Sequence, residues 1–294
     1  MSNPVLFTGA GVALITPMHK DGRVNYEKYR ELVDFQIDNG TDAIIAVGTT
    51  GEAPTLEDDE HLHAFEVAIE QTNGRVPMIA GTGSNNTDHC IYMSREAKAM
   101  GADGLLLVTP YYNKTSQRGL IEHYAKIAAS VDLPSIVYNV PSRTGVNLQP
   151  KTVAELAKIP NIVGLKQANG NMSETAEIAA LCDIAIYSGN DDQIVPIMAL
   201  GGKGVISVLS NVIPQETHDI CKAWFDGDVQ RSLELQLQYL ELANALFMDV
   251  NPIPVKEAMN QMGMDVGDCR LPLYQMTDAM KRTMTNVLKR YHLL

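Results

Sequence analysis

Short apolar runs separated by amphipathic stretches dominate this chain. Runs rich in β-forming residues begin near Gly11 (GVALITP), Ala43 (AIIAVG), Pro77 (PMIAGTG), Gly104 (GLLLVTP), Pro134 (PSIVYNVP), Ile162 (IVGLKQA), Ile184 (IAIYSGN) and Gly204 (GVISVLS). Between them the pattern turns helical over 26–38, 57–72, 87–100, 118–129, 152–158 and 173–181. Nearly continuous apolar strands suit a parallel sheet buried on both faces, and strict strand-helix alternation implies one. The run starts span 193 residues in seven steps, a repeat of about 28, close to the roughly 31 of an eightfold barrel of about 250 residues. A doubly wound open sheet is the rival, but no GxGxxG follows the first run and eight units favour closure. The predicted fold class is α/β, a (β/α)8 TIM barrel.

Beyond the eighth run the patterning stays helical over 214–225, 229–248, 254–262 and 272–291, more than one barrel helix needs. Residues 1–227 are therefore expected to form the barrel and 228–294 a C-terminal helical extension. The stripe of Leu233, Leu237, Leu240 and Leu246 reads as packing surface, a neighbouring subunit being one use.

Composition narrows the function classes. With 45% hydrophobic residues in 294 the chain can bury a large core. Cys90, Cys182, Cys221 and Cys269 stand far apart without a CxxC pair, which suggests neither a disulfide framework nor a zinc site and fits a reducing cytoplasm. The start Met1-Ser2-Asn3-Pro4-Val5 lacks a basic n-region, and no apolar run approaches the roughly 18 residues of a membrane span. A net charge of -12 opposes non-specific binding to nucleic acid and makes any anionic substrate depend on local cations.

Candidate chemistry gathers at one rim. In eightfold barrels the C-terminal strand ends and the loops after them build the active site. Lys166 closes the apolar run Ile162-Val163-Gly164-Leu165, where burial favours the neutral amine and makes it a nucleophile toward carbonyl carbon. The bland reading is a lysine at a strand end that reaches solvent. After the second run comes Gly48-Thr49-Thr50-Gly51-Glu52, two hydroxyls bracketed by glycines that let backbone N–H groups cradle a small carboxylate. Tyr111-Tyr112 follows the fourth run, and Tyr138 and Arg143 lie in the segment after the fifth. A buried tyrosine usually serves packing and a loop arginine is usually solvated, but here several such groups converge on one rim.

The segments IIAVGTTGEAPTLEDDE, the YY pair, YNVPSRTG and GLKQA, in this order and spacing, resemble the dihydrodipicolinate synthase and N-acetylneuraminate lyase family of class I aldolases. The resemblance runs from Phe7-Thr8-Gly9 to Asn251-Pro252-Ile253-Pro254-Val255-Lys256, and Thr49-Thr50 with Ser142-Arg143-Thr144 is similar to the synthase branch. It implies that Lys166 forms a Schiff base with pyruvate, whose carboxylate the Thr49-Thr50 loop holds. Tyr138 would shuttle protons in a hydroxyl relay with Thr49 and Tyr112, the latter supplied by a neighbouring subunit. Arg143 would meet the carboxylate of L-aspartate 4-semialdehyde, with Gly189 and Ile206 as further substrate-binding positions. The implied product is the heterocyclic precursor of diaminopimelate and lysine. The same resemblance implies no metal, no organic cofactor, and a homo-oligomer, a tetramer built from two tight dimers, with neither nucleic acid nor membrane as partner. Rival readings are a related lyase or dehydratase acting on a sugar acid or similar ketoacid, and a non-catalytic barrel that senses a metabolite.

Two departures from the family are present: Gln167, directly after the lysine, replaces a frequent acid, and Asn190, near the rim of the seventh run, a frequent aspartate. Strand alternation turns Gln167 away from the barrel interior if Lys166 points in. Ala53, His61, Asn85 and Tyr111 match positions of an L-lysine inhibitory pocket in regulated members, whereas His89 replaces an acidic residue there and Asp58 a histidine. Weak or absent inhibition by lysine is expected.

Overall fold

The computed structural model describes residues 5–294, so the reading of the chain start over Met1–Pro4 lies outside the described residues. The apolar runs become eight parallel strands: β1 (Gly9–Ala13), β2 (Ala43–Ala46), β3 (Met78–Gly81), β4 (Gly104–Val108), β5 (Ser135–Asn139), β6 (Ile162–Gln167), β7 (Ala185–Ser188) and β8 (Gly204–Ser207). They pair in chain order and β8 closes on β1, with Gly9 opposite Gly204 and Val12 opposite Ser207. The expected (β/α)8 barrel is the observed fold.

Side chains alternate between two apolar regions, as a period of two demands. The inward set, including Phe7, Ile45, Ile79, Leu106, Ile136, Tyr187 and Ile206, fills the barrel. Phe7 precedes β1 and stacks on Tyr187 with ring centroids 4.5 Å apart, while the Tyr187 hydroxyl donates to the Phe7 carbonyl at 2.7 Å. That pair closes the N-terminal mouth and leaves the opposite mouth for chemistry. The outward set joins the helices in a second, larger cluster.

The C-terminal segment supplies the helices Val229–Gln238, Leu240–Ala245, Ile253–Gln261 and Asp278–Arg290. Two details differ from the patterning. The stretch 229–248 breaks at Tyr239, and the last helix starts at Asp278, not at 272, because the Thr277 hydroxyl caps it by accepting from the Met280 amide at 3.3 Å. Leu246, Met284, Val287 and Leu288 belong to the same buried cluster as the barrel's outer layer, whereas Leu233 and Leu237 stay exposed.

This segment is also fastened by charge. Lys256 is almost fully buried and spends its three protons on Glu52 Oε1 (2.9 Å), the Thr16 carbonyl (3.0 Å) and the Asp268 carbonyl (2.8 Å). The second Glu52 oxygen accepts from the Arg270 amide at 2.9 Å. Removing one partner strands the other charge in a dry interior, a loss of about 3 to 5 kcal/mol. Lys256→Met should therefore lower the unfolding free energy by about that amount in urea melts. Combining it with Glu52→Gln should recover part of the loss, and equal losses in single and double variants would contradict this account.

Candidate active site

Parallel pairing puts Tyr138 of β5 in register with Lys166 of β6, so both side chains enter the barrel at its C-terminal mouth. The Lys166 Nζ lies 4.4 Å from the centroid of the Tyr138 ring, within cation–π range. Lys166 is only 5% exposed. Burial pulls its pKa down to about 8, while the Asp191 carboxylate works in the opposite sense and the Arg143 guanidinium adds to the lowering. Burial pushes the Tyr138 phenol up, and Arg143 and a hydrogen bond with the Thr49 side chain pull it back. A part-neutral amine beside a protonated phenol can attack a carbonyl and manage the protons that leave.

The loop after β2 is strained where it turns over this pair. Val47 has φ +49° and Glu52 +59°, unusual for non-glycine residues and above all for a β-branched one. Gly51 is required there, since a Cβ would stand 2.8 Å from the Val47 Cα. Thr49 faces the cleft and Thr50 is buried, its Oγ1 accepting from Asn251 Nδ2 at 3.0 Å. On the far side Arg143 sits in the short helix Pro141–Thr144 and donates from Nη2 to the Asn251 carbonyl at 3.0 Å.

A cavity of about 400 Å³ opens at this mouth and is lined by Thr49, Tyr138 and Arg143. It continues without a break to Ala53, Asp58, His61, His89 and Tyr111. Lys166, Thr50, Gly189 and Ile206 are not among the residues that line it. A Cβ on Gly189 would come within 3.2 Å of the Lys166 Cε, so the missing side chain leaves the lysine room. Ile206 is fully buried in the barrel interior. Asn85 donates from Nδ2 to the Tyr111 carbonyl at 3.2 Å. Tyr112 is not brought to the site by its own chain: it is 91% exposed with φ +65°.

Gln167 lies behind the strand, where its Oε1 accepts from Asn139 Nδ2 at 2.8 Å, and Asn190 donates from Nδ2 to Gln193 at 3.3 Å. Within the distal part of the cavity the Asp58 carboxylate is paired with His89 Nε2 at 2.9 Å. His61 donates from Nε2 to the Gly81 carbonyl at 3.1 Å, and burial lowers its pKa to about 4, so the ring is neutral near pH 7.

Sequence reasoning did not single out Asp191 or Asn251. Asp191 is buried, its Oδ2 accepting from the Val208 and Leu209 amides at 3.0 and 2.9 Å while Oδ1 has no partner among the described residues. Its only signal was proximity to Gly189. Asn251 follows Phe247-Met248-Asp249-Val250 far from every strand, and entered only as the first residue of the segment that closes the resemblance.

Comparison with known proteins places this geometry. Residues 6–291 match the model of the dihydrodipicolinate synthetase family. A 4-hydroxy-tetrahydrodipicolinate synthase of Caldicellulosiruptor bescii is 55% identical over 97% of this chain and 97% of its own length. The solved chloride-inhibited dihydrodipicolinate synthase of Acinetobacter baumannii, complexed with pyruvate, superposes with a TM-score of 0.95 at 44% identity, covering 98% of this chain and 99% of that one. DHDPS from Cyanidioschyzon merolae with lysine bound gives 0.96 at 38% identity, covering 99% and 100%.

The lysine environment sets a pH profile. Only the neutral amine attacks carbonyls, so reductive trapping of a small carbonyl compound at Lys166 should rise with pH and level off above about 8. An ordinary lysine would not level off until above about 10.4. Asp191→Asn removes the charge that favours the ammonium and should move the inflection lower. Mass spectrometry of the Lys166 peptide across pH provides the measurement, and an inflection above 10 would refute the desolvated amine.

Proposed function

The chain belongs to the dihydrodipicolinate synthetase family, and on that premise we propose that it condenses pyruvate with L-aspartate 4-semialdehyde to give 4-hydroxy-tetrahydrodipicolinate. The observation that carries the reading is the buried amine of Lys166 over the Tyr138 ring, beside the Thr49-Thr50 loop and in reach of the Arg143 field. The Lys166 nitrogen attacks the pyruvate ketone and water leaves, forming an iminium. Loss of a methyl proton gives an enamine whose carbon adds to the aldehyde of the second substrate. That substrate's amino group then attacks the iminium carbon, closing the ring and releasing Lys166. No step in this sequence calls for a metal or an organic cofactor.

Each proposed role follows from position. Thr49 and Thr50 hold the pyruvate carboxylate, and Tyr138 relays protons with Thr49. Arg143, exposed on the cavity wall, offers a planar fork to the second carboxylate. Gly189 and Ile206 shape the space around the imine. Tyr112 completes the relay of a second copy: an exposed tyrosine in a left-handed conformation just after β4, which its own chain does not bring to the cavity, supports a dimer that shares its tyrosines, two such dimers making a tetramer. Among the described residues no helix is long and apolar enough to cross a membrane, and the four cysteines are free thiols. Both fit work in the cytoplasm.

For the distal pocket we propose weak control by L-lysine. The Asp58 carboxylate, which would meet the ligand's ammonium, is already engaged by His89. A ligand must break that pair and forgo a free acidic partner, a deficit of about 1.5 to 3 kcal/mol, or roughly 10- to 150-fold in affinity.

Four measurements test these readings. Borohydride with pyruvate should place one pyruvate-derived group on Lys166, and a label on another lysine would falsify the assignment. Tyr138→Phe should lower turnover by roughly a hundredfold in a reductase-coupled assay. Inactive Tyr112→Phe and Lys166→Ala proteins should regain partial activity when mixed under subunit exchange; no recovery would leave Tyr112 outside a shared relay. For the distal pocket, His89→Glu should gain sensitivity to lysine, and micromolar inhibition of the unaltered protein would contradict the proposal.

A further inference from the structure

Asn251 touches both sides of the site without belonging to the barrel. It precedes the helix Ile253–Gln261, is 5% exposed, and reaches two residues that the chain places 201 and 108 positions away. Its side-chain Nδ2 donates to Thr50 Oγ1 at 3.0 Å and its backbone carbonyl accepts from Arg143 Nη2 at 3.0 Å. Its Oδ1 is buried with no partner among the described residues.

The direction of the first hydrogen bond matters more than its length. An amide nitrogen can only donate, so the Thr50 oxygen must accept, and the single hydroxyl proton of Thr50 is left to point elsewhere. Among the described residues that proton has no protein acceptor. In the opposite amide orientation Oδ1 would accept the threonine proton, and the donor would be lost to any ligand. The unpartnered Oδ1 is the cost of aiming the nitrogen at Thr50.

We propose that Asn251 is a positioning residue that fixes Thr50 as a hydrogen-bond donor toward the carboxylate of the α-keto acid, while its backbone anchors Arg143 for the second substrate. This deepens the reading given under Proposed function and rests on it. The side chain acts on the first substrate only, because substitution leaves the carbonyl that holds Arg143 in place. A merely structural asparagine would disturb both substrates alike.

The test measures the pyruvate concentration for half-maximal borohydride trapping at Lys166, together with KM for each substrate. Asn251→Ala and Asn251→Asp both lose the donor, and the second keeps the shape. Each should raise the half-saturating pyruvate concentration by about tenfold, the scale of a hydrogen bond to a charged group. KM for the aldehyde should change by less than about threefold. In a Thr50→Val background, where the hydroxyl is absent, either substitution should change pyruvate affinity by less than about twofold, because the two residues act as one unit. That background also separates the hydrogen bond from the new charge of the aspartate, whose repulsion would persist without the hydroxyl. Retained pyruvate affinity in Asn251→Asp, or full effects that multiply in the double variant, would overturn the proposal. Failure of the unaltered protein to trap pyruvate would instead remove the reading on which it rests.

Discussion

The loss of water around one ammonium group is the constraint from which the site is built. Lys166 stands in a barrel interior where a charge has little to replace its hydration, and among the described residues no ion pair is offered to it directly. The face of Tyr138 at 4.4 Å and the field of Asp191 compensate in part, and Arg143 opposes them. The amine's pKa is thereby lowered to about 8, so that a fraction of it is neutral and able to react near pH 7. Such a balance needs a closed parallel sheet. Only there do neighbouring strands present Tyr138 and Lys166 to the same dry space in register, and a one-residue slip of either strand would turn its residue outward.

A reactive amine is useful only if the carboxylate beside it is held, and the holding loop is not relaxed. Val47 and Glu52 sit at positive φ around Thr49 and Thr50, a conformation that persists when surrounding contacts impose it. Those contacts come from residues 251–270: Asn251 to Thr50, Lys256 to Glu52, and Arg270 to both the Glu52 carboxylate and that of Glu60. The C-terminal segment is thus a clamp on the second βα loop, and through it residues so distant in sequence reach the loop proposed to hold the first substrate. Exposed pairs such as Arg290 with Glu241 add little by comparison, because water screens them.

Periodicity carried the barrel, since alternation of short apolar runs with helical stretches is a repeated signal, and each strand begins within two residues of its run. Lys166 and the hydroxyls of the GTTG turn were legible because burial and glycine leave marks in a local sequence. Asp191 and Asn251 left only weak ones, a place near Gly189 and a place at the end of the resemblance. Their importance lies in hydrogen bonds to residues far along the chain, and an aspartate or asparagine in a turn is commonplace on local grounds. The break at Tyr239 was equally hidden, because helical spacing continues across it. What local sequence could not report is which polar groups the closed fold makes neighbours.

Charge completes the argument. A chain of net charge -12 should repel the two carboxylates it is proposed to join. The cavity reverses that at short range by arranging its neutral and charged walls unequally. His61 is held neutral, Asp58 is paired with His89, and Arg143 lines the cavity beside Val140 and Thr144. An anion entering therefore meets a paired acid on one side and a forked cation on the other. The same guanidinium that is proposed to meet the second substrate also depresses the lysine's proton affinity. Binding and nucleophile activation thus share one charge, so Arg143 cannot be replaced without altering both.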